Sequence, residues 1–429
     1  MRIKKLGGWF RQRHYPHFDY PIGYETAKQF ACVPSNVARH SFLPLIGYTD
    51  SRRTFKTDNS NKAIVRRKRP RKVGVKAREI KYAAHRDAAI YAFYAYKLQL
   101  QYEDWLGRND LQRAVLGYRS GLGSNVDMAA DAFAEISARG QCTVMCFDIS
   151  DFFPSISHFE LKCALREVLQ TEELTLDWFN VFKSIVRHNW VDLKQISIPL
   201  GFKPTDPPSP LVDDIGPALE TLRGAKLIHS NSMKRNGIPQ GLPISAVFAN
   251  VAMAEFDKKI QAWVAANDAS YRRYSDDIMI ICNPDAEADA EHVVTRAAGS
   301  HSGLVINPDK TEVSRFTHHQ GDLAVDKPVT YLGFTFDGQR VLLRARTLSR
   351  YYRRMTYAVR GTIRGAARKG QPAHKAYRRK LYRDISHLGK QNFYSYASRA
   401  DKKFVNSGVK RQLRNHFKIL LRKLANRGR

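Results

Sequence analysis

Tyr271-Arg-Arg-Tyr-Ser-Asp-Asp-Ile-Met-Ile-Ile-Cys282 places two adjacent carboxylates, Asp276 and Asp277, between Tyr274-Ser275 and an apolar run. Ile278 to Ile281 has the unbroken apolar character of a buried strand, with Tyr271 to Tyr274 as its partner. No glycine separates the two, and acids at the turn are an odd choice for a purely structural hairpin. Neighbouring carboxylates near an interior cost several kcal/mol unless a positive charge neutralises them. A divalent cation is the simplest such partner. A solvated acidic turn is the plain alternative, and the stretch alone leaves both open.

The chain has 429 residues, 43% hydrophobic and 26% charged, enough for two or three domains with a core of their own. Its formal net charge of +31 is unevenly spread. Residues 1–81 hold 20 Lys/Arg against 5 Asp/Glu, residues 345–429 hold 25 against 2, and residues 82–344 hold 26 against 33. An acidic centre between two basic arms suits a metal-binding catalytic body flanked by surfaces for a polyanion, and nucleic acid is the partner expected. The five cysteines, Cys32, Cys142, Cys146, Cys163 and Cys282, contain no C-x-x-C and support neither a disulfide framework nor a zinc ribbon. No run of 18 apolar residues occurs, so no membrane span is expected. The start has no signal-peptide pattern, and the expectation is a cytoplasmic protein.

Along the chain, residues 1–60 are mixed and aromatic, and Arg66, Arg67, Lys68 and Arg69 open a dense basic run suited to phosphate contact. Alanines and apolar residues at helical spacing predict a helix over 78–106, and Gly117 to Ser124 a glycine-rich loop whose Arg119 can meet a phosphate. A helix is expected at 125–139. Val144 to Ile149 reads as a buried strand with Asp148 near its end, a position that fixes a carboxylate while leaving it open. Helical stretches follow at 158–170 and 175–190. Six prolines between 199 and 217 predict a long loop or inserted excursion over about 195–233, with a helix near 216–224. Gly237-Ile-Pro-Gln-Gly241 is a tight turn feeding a helix from Ser245 to about Ala266, in which Gly241 lets a flat ring approach the backbone and Gln240 offers an amide. A helix is expected at 285–300. Leu304 to Thr311 reads as a strand with Lys310 at its end, and Val329 to Phe336 as another, turned by Asp337-Gly338. From 345 the pattern is helical and basic, over 347–369, 373–386 and 402–425, with tyrosines among the arginines. Arg353, Arg354, Arg378, Arg379 and Lys380 are the residues expected to meet a phosphate backbone there.

The order of these pieces resembles reverse transcriptases, specifically the bacterial group that includes retron, group II intron and phage-defence enzymes. Phe147-Asp148-Ile149 with Asp151-Phe-Phe-Pro-Ser155 looks like the first catalytic motif, and Gly237 to Ser245 like the glutamine-glycine motif. Tyr274-Ser-Asp-Asp277 resembles the Tyr-x-Asp-Asp turn, Asn307-Pro-Asp-Lys-Thr311 the lysine motif, and Tyr331-Leu-Gly-Phe334 the primer-grip strand. The resemblance covers about 78–344. It implies an α+β right-hand polymerase, with fingers, an antiparallel-sheet palm flanked by helices, and a basic helical thumb. The expected division is a basic N-terminal extension over 1–77, fingers over 78–143, palm over 144–344 with the proline-rich insertion, and thumb over 345–429.

The chemistry implied is phosphoryl transfer from a deoxynucleoside triphosphate to a primer 3′-hydroxyl, assisted by two Mg²⁺ ions, with Mn²⁺ as a possible substitute. Asp148, Asp276 and Asp277 are the expected catalytic and metal-binding residues, with the Ile149 carbonyl as a further oxygen. The resemblance also implies that Phe153 stacks under the sugar, Gln240 contacts the nucleotide, Lys310 neutralises or protonates the leaving pyrophosphate, and Arg78 and Lys81 grip the triphosphate. The partners expected are a structured non-coding RNA and a cDNA product, with self-association or an accessory protein possible. The role expected is anti-phage defence. Template-independent DNA synthesis and an idle, maturase-like RNA-binding protein are the alternatives.

Overall fold

The computed structural model describes residues 8–57, 71–202, 210–300, 303–372 and 377–426. The basic run Arg66, Arg67, Lys68 and Arg69 lies outside the described residues. In chain order the strands are β1 Leu45–Thr57, β2 Arg71–Tyr82, β3 Cys142–Asp148, β4 Asn189–Asp192, β5 His229–Ser230 and β6 Ser270–Tyr274. They continue with β7 Asp277–Cys282, β8 Glu312–His319, β9 Asp322–Val325, β10 Val329–Tyr331, β11 Phe334–Phe336 and β12 Val341–Leu343. The chain divides into two units, one of Met1–Tyr118, Ile149–Gln261 and Thr295–Ile306, the other of Arg119–Asp148, Ala262–Val294 and Asn307–Arg429.

The first unit contains a four-stranded sheet in the order β2-β1-β4-β5. β1 and β2 form a long antiparallel ribbon from Ile46↔Tyr82 to Thr57↔Arg71, and β4 joins β1 in parallel with Leu45 opposite Trp190. Phe18, Ile46, Val191, Ile196 and Leu222 form the core beside it. Three expectations change here. Residues 78–82 belong to β2, which runs across the boundary placed at 77, and the helix starts only at His85. Its first turn is capped from far away: the Asp19 carboxylate accepts from the His85 and Arg86 amides at 2.8 and 3.0 Å. A cap 66 residues upstream leaves no local start signal. The proline-rich stretch is also more than a loop. The helix expected near 216–224 is present as Ile215–Gly224; beyond it, Leu193–Ile196 is also helical and β5 pairs with β4, so the segment contributes Ile196 and Leu222 to this core. The helix expected at 175–190 stops at Val186, and the chain enters β4 instead.

Two buried histidines of this unit set an acid limit. His17 is fully buried, and its Nδ1 accepts from the Phe18 amide at 2.8 Å, so a second ring proton would point at a donor. Burial holds its pKa down to about 3. Burial and the Lys81 charge hold His188 down to about 4. The unfolded chain takes up protons at these rings near pH 6.5 while the folded chain does not, so stability is full above about 6.5 and falls below it. Each ring is expected to remove roughly 1 kcal/mol per pH unit between pH 6 and 5. Urea unfolding of wild type against His17→Gln checks this, since the variant is expected to lose one ring's share of the slope and keep that of His188; equal slopes would count against it.

The second unit is built on a five-stranded antiparallel sheet in the order β6-β7-β3-β8-β9 and a three-stranded sheet β10-β11-β12. The helix Asn125–Arg139, closed by a Ser124–Asp127 capping box, contributes Ala129, Phe133 and Ile136 to the core beside Val144 and Ile281. The same core takes in Phe334, Phe336, Tyr351, Met355 and Val359, so the two sheets and the basic helix Ala345–Ala367 share one interior. The segment read as one strand over 329–336 is a hairpin, turned by Leu332 at φ 45° and Gly333 at φ 95°. A two-residue turn with positive φ at both positions matches the twist of its strands, but leucine gives no hint of it. The region expected as one helix over 402–425 is three pieces, Phe393–Lys403, Val409–Leu413 and His416–Ala425. Between the first two, Asn406 takes φ 54° and the Gly408 amide donates to Val341 at 2.9 Å, tying the break to β12.

Candidate active site

The opening stretch folds as a hairpin in the second unit. β6 and β7 pair from Ser270↔Ile281 to Tyr274↔Asp277, leaving Ser275 and Asp276 as a two-residue turn. Ser275 holds φ 61°, a left-handed conformation costly for a residue with a side chain. Beneath it the Arg273 guanidinium is fully buried and donates to the Ser275 carbonyl at 3.3 Å. The turn is thus held by a buried cation, with no glycine.

β3 lies antiparallel beside β7, and the register sets Asp148 directly opposite Asp277. Directly opposed residues share a sheet face, and like charges there repel. Partial burial first, then the Asp276 and Asp148 charges, push the Asp277 carboxyl up to about 6, even though it keeps contact with solvent at the strand end; Arg344 and Lys310 pull the other way. The Lys310 ammonium bonds the Asp148 carboxylate. Its placement is local: Pro308–Lys310 is a 3-10 turn, and the Asn307 amide donates to the Asp148 carbonyl at 2.8 Å. Residues 304–311 are therefore not the strand expected; only Ile306 makes a β-bridge, to Ile149, and β8 begins at Glu312. Proline at the first position of the turn favours this outcome.

Three carboxylates, two of them in cross-strand register, form a concentration of negative charge suited to a divalent cation. Among the described residues, no three His, Cys, Asp or Glu side chains converge as a ready-made cage. Arg344, which precedes the helix Ala345–Ala367, escapes the sequence reading. No motif marks it; its amide donates to the Gly333 carbonyl at 3.0 Å, and its own carbonyl accepts from the Thr347 and Leu348 amides at 2.8 and 3.2 Å.

The remaining expected residues of the nucleotide site lie in the first unit. Gly237 to Gly241 packs on the segment after Ile149: the Ile238 amide donates to Phe153 at 3.0 Å and the Gly237 amide to Ile156 at 2.8 Å. Phe153 is half-buried and sits edge-on to Phe152. Gln240 is half-buried, and its carbonyl accepts from the Lys81 amide at 2.8 Å, so the loop closes on the free edge of β2. This corrects the reading of Gly241. At φ 119°, a Cβ there would stand 2.6 Å from the Lys81 carbonyl, so the glycine admits strand β2. Gly241→Ala is expected to cost ~2–4 kcal/mol through the clash and the strained φ. A thermal melt matching wild type would contradict that close approach.

Arg78 and Lys81, expected to grip one triphosphate together, stand three residues apart on a continuous strand. Side chains alternate along a strand, so the two face opposite sides of the sheet. Arg78 is exposed, whereas Lys81 is half-buried, its Nζ 3.1 Å from His188 Nε2 and 4.6 Å from the centre of the Trp190 ring. Asp87, near the start of the following helix, is buried and accepts from the Leu43 amide at 2.9 Å and lies 2.6 Å from His40 Nε2, a structural clamp. The helix expected from Ser245 to Ala266 is interrupted at Met253, whose amide bonds Asn250 in a tightened turn.

Among the residues expected to meet nucleic acid, Arg119 is half-buried on the loop before Asn125–Arg139. Arg353 and Arg354 are exposed on the helix Ala345–Ala367, Arg378 is half-buried, and Arg379 and Lys380 are exposed at the start of the helix Arg379–Ile385. Arg346, Arg350, Arg360 and Arg364 are exposed along the same long helix. An open pocket of about 630 Å³ is lined by Tyr377, Arg379, Lys380, Tyr382, Arg383 and Leu388. No helix among the described residues is long and apolar enough to cross a membrane.

No curated protein sequence matches this chain. Among solved structures, it is similar to a telomerase from Candida tropicalis truncated from its C-terminal domain, at 10% identity and a TM-score of 0.40, over 77% of this chain and 62% of that one. Telomerase from Candida albicans, in complex with a fragment of telomeric RNA, is similar at 12% identity and a TM-score of 0.41, over 93% of this chain and 66% of that one. The apo telomerase of Candida tropicalis is similar at 12% identity and a TM-score of 0.44, over 98% of this chain and 74% of that one. The chain thus spans slightly less than two thirds of the length of the first two. Residues 95–336, more than half of the sequence, match the family described as reverse transcriptase (RNA-dependent DNA polymerase), and the chain belongs to that family.

Proposed function

We propose that the protein is an RNA-directed DNA polymerase that extends a primer 3′-hydroxyl with deoxynucleoside triphosphates on a structured non-coding RNA, in anti-phage defence. The observation that carries the catalytic part is the register of β3 and β7, which opposes Asp148 to Asp277 with Asp276 in the adjoining turn. Asp148 and Asp276 would hold Mg²⁺ together with the substrate phosphates, and Asp277 would set the charge of the site. When bound, a metal pair supplies charge stabilisation to the attacking and leaving oxygens of an in-line displacement. The chain's own residues bind and orient. Gln240, anchored through its carbonyl on β2, contacts the nucleotide, and Phe153 stacks beneath its sugar. Lys310, whose ammonium bonds the Asp148 carboxylate, neutralises the developing charge on pyrophosphate. The defence role rests on the likeness of the motif order to stand-alone defence enzymes, an analogy of family.

The RNA partner is supported by the charge of residues 345–429, by the exposed arginines of the long helix and by the pocket that interleaves tyrosines with cations, a combination that stacks bases and tracks phosphates. The test is to purify the protein with its bound nucleic acid, add Mg²⁺ and labelled deoxynucleotides, and sequence the product. DNA complementary to the bound RNA is the expected result. A homopolymer or random product would replace templated with untemplated synthesis. RNA bound without any product would leave an idle RNA-binding protein.

A further inference from the structure

We propose that His188 and Trp190 are positioning residues for Lys81, fixing its ammonium in one orientation toward the triphosphate of the incoming nucleotide; this rests on the polymerase reading above. The sheet of the first unit builds the clamp row by row. Lys81 on β2 is opposite Gly47 on β1, and Trp190 on β4 is opposite Leu45, two residues earlier and so on the same face as Gly47. A Cβ on Gly47 would stand 3.1 Å from the Trp190 ring, so the missing side chain is what lets the indole lie across β1 toward Lys81. The ammonium sits over that ring, 4.6 Å from its centre. On β5, His229 is opposite Trp190 and packs against it at a tilt of 33° with ring centres 4.5 Å apart, closing the row.

His188 supplies the directional contact. It is 5% exposed, and its Nδ1–H donates to the Ile185 carbonyl at 2.8 Å. That bond fixes the tautomer and leaves Nε2 with a lone pair, which accepts from Lys81 Nζ at 3.1 Å. Neither ring neutralises the charge, and Glu79, on the same face of β2, acts on it only through space. An ammonium has three N–H donors, so two remain for phosphate oxygens. The Lys81 main chain is fixed as well, by the bond of its amide to Gln240. Side chain and backbone are thus held by two different parts of the unit, an arrangement suited to presenting a cation. The β4–β5 segment, from the stretch that interrupts the motif order, acquires a role in the reaction.

The experiment is steady-state extension of oligo(dT) on poly(rA) with Mg²⁺ and dTTP, using the full chain. His188→Ala is expected to raise the KM for dTTP about tenfold with kcat within about twofold, because ground-state grip on the triphosphate is lost. His188→Asn, which keeps an acceptor, is expected to recover most of it. In a Lys81→Met background, His188→Ala is expected to add nothing, since the two act as one unit. Should His188→Ala not fold, Trp190→Leu against Trp190→Phe reads the same clamp through the ring. A wild-type KM in folded His188→Ala, or effects that add to those of Lys81→Met, would overturn the clamp and leave the polymerase reading intact. Absence of any DNA from wild type would overturn both.

Discussion

Asp276→Ala is expected to lose at least ~10³-fold in the rate of nucleotide addition, with RNA affinity within about twofold of wild type. The size follows from charge. A carboxylate that holds a divalent cation at the reacting phosphate contributes several kcal/mol to the transition state, and each 1.36 kcal/mol is about tenfold in rate. The selectivity follows from position. Asp276 occupies the turn between β6 and β7, and its own negative charge repels phosphate, so its removal takes nothing from RNA binding. Asp277→Asn keeps shape and removes charge opposite Asp148, and a smaller loss, ~10–100-fold, is expected if its part is to tune the site. Single-turnover primer extension separates the two. Retention of a tenth or more of wild-type rate by Asp276→Ala would remove the metal-site assignment.

RNA affinity is expected to fall ~10³- to 10⁵-fold between 50 and 200 mM salt, the range for six to ten phosphate contacts. Under the proposed function, the exposed arginines at 346, 350, 353, 354, 360 and 364, with Arg379 and Lys380, would supply contacts of that number. Each contact releases condensed counterions, so the slope of log K against log salt counts them. Replacing Arg353 and Arg354 by Gln is expected to reduce the slope by ~1.5–2 and to weaken binding to all sequences alike. Filter binding across a salt series measures both, and a flat dependence would take the RNA off the basic arm. The two predictions are independent, since one concerns β3, β6 and β7 and the other the helices after Leu343.

The residues proposed to carry the chemistry were the most legible part of the chain. Asp148 at a strand end, the acids of Tyr274-Ser-Asp-Asp277, the Gly237 to Gly241 turn and Lys310 are each recognisable from neighbours within a few positions. Strand ends, acid pairs and glycine turns are local signals, and their order along the chain names the family that residues 95–336 match. The antiparallel sheet and the helix at Asn125–Arg139 follow from apolar patterns of the same short range.

What the sequence determined by itself was therefore the inventory and the order: which carboxylates, which glycines, which basic arm. Only the tertiary structure decided which of them meet. That Asp148 faces Asp277 is a matter of strand register, set by pairing partners more than a hundred residues apart. That residues 78–82 are strand, with Arg78 and Lys81 on opposite faces, depends on β1, and the helix start at His85 depends on Asp19. The use of Gly241 for the Lys81 carbonyl, and of Gly47 for the Trp190 ring, is equally silent in the sequence, because a glycine records only that something approaches. Local chemistry is written in adjacent residues, whereas contacts between distant segments follow from the packing that brings those segments together.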